Sequence, residues 1–181
     1  MSDILSDLYS DLKGEILNNK YLLIYQIGKG TFATVWLALN FVDKKYYAIK
    51  MQDPEEYDNG NDEVDILKKI KNTNCEYINK MIEHFEFNDE DNCYVCMVFE
   101  LMIGSAYDVV KYGKYSGGLP FGTVKTIIHQ LLTAMSVLNN KYKTLHSDIK
   151  PENILICGTS NKVNEIISAF NKNDKILQQL N

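Results

Sequence analysis

The chain has 181 residues, 45% hydrophobic and 24% charged, which suits one globular domain or part of one, able to bury roughly 70% of its unfolded surface. The formal net charge of −5 sets aside nucleic acid as the main partner, because phosphate backbones reward basic surfaces, and it suits a basic protein substrate instead. All 19 cations are lysine, so the chain has no guanidinium fork with which to grip phosphate or carboxylate.

In chain order, residues 3–17 place Ile4, Leu5, Leu8 and Leu12 at helical spacing among acidic positions, which predicts a short amphipathic helix. Strands are expected at 21–27, 34–39 and 45–51, the last two split by a polar turn at 40–44. A helix is expected at about 62–71, then strands at 78–87 and 93–100 on either side of the acidic turn 88–92. After Gly104 the pattern turns helical. Gly117, Gly118 and Pro120 close one segment, and Val124, Ile127, Ile128, Leu131, Leu132, Met135 and Leu138 give the next helix an almost wholly apolar face. Val163, Ile166, Ile167 and Phe170 repeat the helical spacing, followed by Ile176, Leu177 and Leu180. The expected class is α+β: an extension over 1–20, a β-rich lobe of five strands and one helix over 21–101, a helical part over 102–158 and a tail over 159–181. The cleft between two such lobes is a natural ligand site.

Cys75, Cys93, Cys96 and Cys157 make no disulfide or zinc framework, since the lone pair three apart at 93 and 96 faces opposite sides of a strand. No apolar run approaches the length of a membrane span, and the acidic start Met1-Ser2-Asp3 has no signal-peptide core. The expected setting is the cytosol or nucleus, with no membrane partner.

Three motifs carry chemistry. Ile27-Gly28-Lys29-Gly30-Thr31-Phe32-Ala33-Thr34-Val35 lies strand–turn–strand, where glycines let bare backbone approach phosphate oxygens; a dinucleotide fold would need strand–turn–helix. The second is Tyr47-Ala48-Ile49-Lys50, which ends an apolar strand with a lysine. On the helix that follows, Ile66, Leu67 and Ile70 define a stripe with Glu63 at its middle. A carboxylate there needs a cation from the sheet it faces, and Lys50 is the candidate. Such a pair would hold the ammonium for the α- and β-phosphates of ATP.

The third motif is the most specific: His146-Ser147-Asp148-Ile149-Lys150-Pro151-Glu152-Asn153-Ile154-Leu155-Ile156. It sets an acid, a cation and an amide at offsets 0, +2 and +5, the groups a phosphoryl-transfer site requires. Asp148 is the candidate base, Lys150 the cation for the moving phosphoryl, and Asn153 a magnesium ligand. His146 is read as support for the loop rather than a catalyst.

In this order the motifs resemble the eukaryotic protein kinase family over about residues 15–157, and Lys150 beside Asp148 resembles its serine/threonine members. Gly14-Glu15-Ile16-Leu17-Asn18, Phe32-Ala33-Thr34-Val35-Trp36-Leu37, Met97-Val98-Phe99-Glu100 and residues 143–155 look most like the serine/arginine-rich-protein-specific kinases. The resemblance implies a kinase-like fold with a complete β-rich N-lobe plus the first helices and catalytic loop of a helical C-lobe. It also implies ATP and Mg²⁺, and a basic, Arg/Ser-rich protein substrate. Phe99 would be the gatekeeper, and Glu100 and Leu101 the hinge that hydrogen-bonds adenine.

The pattern departs from the family in three places. Ala33 replaces the third glycine, and Ser147 stands where most kinases have arginine; both resemble the SR-protein kinases. The family's Asp-Phe-Gly, which chelates magnesium, is not found in the chain; Asp174, the one acid after Glu165, has an unlike context. The expectation is therefore the first half of such a kinase, with 159–181 as the beginning of a spacer and a possible second polypeptide completing the C-lobe. A fragment that binds nucleotide or a partner without transfer is the alternative.

Overall fold

The computed structural model describes residues 12–112, 115, 117–158 and 161–173. Six antiparallel strands form its main sheet in the order β1-β2-β3-β4-β6-β5. They are β1 (Ile16–Leu17), β2 (Tyr21–Lys29), β3 (Ala33–Asn40), β4 (Lys45–Gln52), β5 (Glu83–Asn88) and β6 (Cys93–Glu100). The sixth, short strand is β1. Gly14, at φ +95°, turns the chain, its N–H donates to the Leu23 carbonyl at 2.9 Å, and Leu23 N–H donates to the Glu15 carbonyl at 2.9 Å. These backbone groups serve the sheet, so the helix expected over 3–17 does not reach residues 16–17; its first part, 3–11, lies outside the described residues.

Side chains alternate between two faces of this sheet. On one face Tyr21, Leu23, Trp36, Ala38, Ile49, Met51, Tyr94, Cys96 and Val98 form a single buried cluster. The sheet curls around it: the Tyr21 ring of β2 stacks on Phe85 of β5 at 5.9 Å, although β3, β4 and β6 lie between them in the order. Lys20 and Tyr21 both hydrogen-bond Glu83, which closes the same seam and holds that carboxyl below its usual range. The outer face carries two helices. Val64 and Leu67 of α1 (Tyr57–Ile70) pack on Val95, Met97 and Phe99. Val163, Ile166, Ile167 and Phe170 of α4 (Asn161–Asn173) pack on Ile24, Leu37 and Leu39. Register irregularities in β2 keep Ile24 and Ile27, three apart, on this outer face.

Residues 78–82, expected to open a strand, stand outside the ladder, which begins at Glu83 opposite Val98. Ile78 and Met81 are nonetheless buried: Ile78 beside Ile70, Ala134 and Leu138 of two helices, and Met81 in the cluster that Val64 of α1 forms with Val95 and Met97 of β6. Downstream, β7 (Gly104–Ser105) pairs with β8 (Leu155–Ile156) to form a two-stranded ribbon. A capping box between Ser105 and Asp108 starts α2 (Ala106–Lys111). Helix α3 (Phe121–Tyr142) ends where Lys143 adopts φ +54°. Only its Ala134 and Leu138 are buried, and Ile128 and Leu132 of the expected apolar face stand 49% and 63% exposed. No helix among the described residues is long and apolar enough to cross a membrane.

Candidate active site

The glycine hairpin joins β2 to β3, closed by Gly30 N–H donating to the Ala33 carbonyl at 2.8 Å. Asp53 N–H donates to the Phe32 carbonyl at 3.0 Å and ties the hairpin tip to the end of β4. The turn itself does not require glycine. Neither Gly28 nor Gly30 has a positive φ, and an added Cβ would come no closer than 3.4 Å to Val35 Cβ or to the Ala33 carbonyl oxygen. What the two glycines provide is bare backbone that a phosphate can approach, and a methyl at either would fill that space. Lys29, Gly30, Thr31 and Phe32 are exposed at the tip, and Ile27 is partly buried on the outer face. Thr34 is placed differently from the others. Its side chain is 1% exposed and accepts from Trp36 Nε1 at 3.1 Å, on the inner side of the sheet.

Lys50 lies on β4 between Val35 and Met97, its side chain alternating with Ile49 and Met51 and so directed to the outer face. Its Nζ donates to both Glu63 oxygens, at 2.7 and 2.5 Å. The pair is as expected; the helix beneath it is not. α1 begins at Tyr57, five residues before the expected start, and its stripe runs through Gly60, Val64 and Ile70, with Ile66 40% exposed. The cause is Gly60, where an added Cβ would stand 3.1 Å from Gln52 Cγ and from Val95 Cβ. That close approach rotates the helix and leaves Glu63 on the flank of the stripe, 37% exposed. At this exposure the ion pair adds only about 1 kcal/mol to stability, so its worth lies in fixing the ammonium. Replacing Gly60 by valine should cost about 1–3 kcal/mol by overpacking and displace Glu63, seen as a lowered thermal midpoint.

The loop after α3 gathers the other three residues. Lys150 Nζ stands 2.8 Å from Asp148 Oδ2, and Asn153 Nδ2 donates to the same oxygen and to the Asp148 carbonyl, each at 2.9 Å. A 3-10 turn over Pro151–Asn153 makes this possible, closed by Asn153 N–H on the Lys150 carbonyl at 2.9 Å. Ile154 and Ile156 carbonyls accept from Ala106 and Ile103, which roots the loop in the ribbon. His146 Nδ1 accepts from Asp148 N–H at 3.3 Å, a supporting role. The hydrogen bond from Lys150 holds the Asp148 carboxyl below its ordinary value, and Asp148 in turn raises Lys150. Both groups therefore stay charged across neutral pH. Lys150→Met should move the Asp148 midpoint up toward the ordinary value of about 3.9, measured by carboxyl NMR titration.

No hydrogen bond or ion pair joins the Lys50 pair to the Asp148 cluster among the described residues. Glu100 is exposed at the end of β6, and Leu101 follows it, partly buried; with Tyr46, Ile82 and Ile167 they line a cavity of about 520 Å³. Phe99 packs beside α1. Cys96 is buried on the inner face, its thiol pushed up to about 12 by burial, and among the described residues no His, Cys, Asp and Glu cluster could by itself hold a metal.

The protein kinase domain family matches residues 21–167. The chain belongs to the protein kinase family. Among curated relatives it is 42% identical over 164 residues to "Putative serine/threonine-protein kinase L205" of Acanthamoeba polyphaga mimivirus, covering 88% of this chain and 30% of that protein. It is 32% identical over 151 residues to human SRSF protein kinase 3, covering 80% of this chain and 26% of the relative. It is 34% identical over 151 residues to protein kinase dsk1 of Schizosaccharomyces pombe, covering 79% and 27%. A solved kinase domain, PF14_0431, superimposes with a TM-score of 0.71 at 35% identity, over 81% of this chain and 42% of that one. The kinase chain thus spans between a quarter and a third of the length of these curated relatives. Its fold is kinase-like: the five strands expected over 21–101 are present, and the short β1 at Ile16–Leu17 adds a sixth at the sheet edge.

Gly60, Tyr46 and the Asp53–Phe32 bond were not legible as site-forming from sequence. Only the turn-like Asp58-Asn59-Gly60-Asn61 run, odd at the start of a helix, gave a signal for the first.

Proposed function

We propose that this chain carries the ATP-binding and proton-accepting portion of a serine/threonine protein kinase, which transfers the γ-phosphoryl of ATP to a protein hydroxyl. The supporting observation is the two-oxygen clasp of Glu63 on Lys50, on the outer sheet face under a hairpin whose glycines the fold does not itself require. In this reading Gly28 to Val35 cover the phosphates with backbone N–H groups, Thr34 contributing its main chain alone. Lys50 neutralises the α- and β-phosphates, and Glu100 and Leu101 hold the adenine edge. Asp148 orients the substrate hydroxyl and takes its proton as the new O–P bond forms and the bond from the γ-phosphorus to the β,γ-bridging oxygen breaks to release ADP, while Lys150 faces the charge on the phosphoryl in flight.

The donor set fits magnesium as magnesium is usually bound, by one or two protein oxygens with phosphates and water completing the shell. Asn153 spends its NH₂ on Asp148, which leaves its Oδ1 for the ion. When bound, Mg²⁺ would neutralise charge on the phosphates. The negative net charge and the SRSF kinase relatives favour a basic, Arg/Ser-rich protein substrate in the cytosol or nucleus.

A second reading is nucleotide or partner binding without transfer. The half-exposed apolar face of α3 suits such a partner. Radiolabelled phosphate transfer from ATP to an Arg/Ser-rich peptide decides between them. Transfer by the chain supports the first reading; ATP-dependent thermal stabilisation with no transfer supports the second, and neither signal rejects both.

A further inference from the structure

Helix α4 docks on the sheet face that presents Lys50. Val35, Leu37 and Leu39 of β3 share that face by strand alternation, as do Tyr46 and Lys50 of β4. Val163 is 7% exposed in the dock, and Ile166, Ile167 and Phe170 complete a stripe that meets Ile24, Ile27, Leu37, Leu39, Tyr46 and Leu101. Two of these border the proposed ATP site: Leu101 after β6 is assigned to the adenine edge, and Ile27 opens the glycine-hairpin motif. Tyr46 Oη donates to Asn171 Oδ1 at 2.8 Å and latches the far end of the helix. Asn164 and Ile167 line the cavity shared with Glu100 and Leu101.

We propose that α4 is a built-in competitor for the nucleotide: docked, it covers the apolar ground between Ile27 and Leu101 that a purine needs, and ATP seats only after it has left. The proposal rests on the reading of the ATP site given above. A purine requires a flat apolar surface with a polar edge, and the apolar side chains of α4 pack on the cluster that holds Ile27 and Leu101. The helix is suited to leaving. At 13 residues it is too short to persist alone in water, so its order depends on the dock. Gly158, at φ +108°, turns the chain between the ribbon and α4. When only a fraction of molecules have the site open, the apparent dissociation constant rises by the inverse of that fraction.

The test measures ATP affinity calorimetrically on the full chain and on Val163→Asp/Ile167→Asp, with hydrogen exchange across 161–173 followed in the unsubstituted chain. The expected results are about tenfold tighter ATP binding in the variant and faster exchange of 161–173 when ATP is added. Equal or weaker affinity in a folded variant, or protection of 161–173 by ATP, overturns the proposal and leaves the ATP site standing. If the variant fails to fold, the exchange result on the unsubstituted chain decides alone. No ATP binding by either chain overturns the site assignment and the proposal with it.

Discussion

Replacing Asp148 by asparagine should slow phosphoryl transfer about 10²- to 10⁴-fold while ATP affinity stays within about twofold, the magnitude expected for a lost general base. The geometry makes the change specific. Asparagine keeps the size of the side chain but has no second oxygen to accept a proton. If its oxygen takes the place of Oδ2, it still meets Lys150 Nζ and Asn153 Nδ2, held at 2.8 and 2.9 Å in the parent. The loop's turn over Pro151–Asn153 is built by backbone bonds and would persist. Initial rates of label transfer to an Arg/Ser-rich peptide, beside an ATP titration, give both numbers. Equal rates from the two proteins would remove Asp148 from its role.

Trp36→Ala should cost about 3–5 kcal/mol and lower the thermal midpoint by about 10 °C or more, the largest stability effect expected of a single side chain. Trp36 is 2% exposed in the cluster around which the sheet curls, and its Nε1 donates to the buried Thr34 hydroxyl. Its loss opens a cavity at the centre of the curl and strands the Thr34 oxygen. The same cluster holds Ile49 and Met51 on either side of Lys50, so ATP affinity should fall as well, through loss of folded protein. Scanning calorimetry with and without ATP separates the two. A midpoint within about 3 °C of the parent would show that the curl is held elsewhere, at the Glu83 seam.

The sequence was most legible where one physical rule acted alone. The strands flanking the glycine hairpin, the lysine of β4 and the long helix α3 came from periodicity and turn chemistry, which local residues determine. Where tertiary contact overrode local preference, reading the sequence fell short. Asp58-Asn59-Gly60-Asn61 are weak helix formers, yet they are helical because Gly60 lets the chain close on Gln52 and Val95. That contact moved the buried stripe off Ile66 and brought Glu63 to Lys50 from the flank. Ile78 and Met81 suit a strand by composition, because buried aliphatics serve a ladder or a packing interface equally well and composition does not distinguish them. The stripe of α4 was visible, but periodicity names a face without naming what it covers. That Asp148, Lys150 and Asn153 meet was legible because they lie within one short segment.

The central claim is that the Lys50 ammonium, held by Glu63, anchors the triphosphate. Calorimetric ATP titrations of Lys50→Met, Glu63→Gln and the double variant test it most directly. Lys50→Met should weaken binding about 10- to 100-fold, Glu63→Gln by less, and the double variant no further than Lys50→Met alone, since the acid acts through the lysine. Unchanged ATP affinity in folded Lys50→Met would contradict the account.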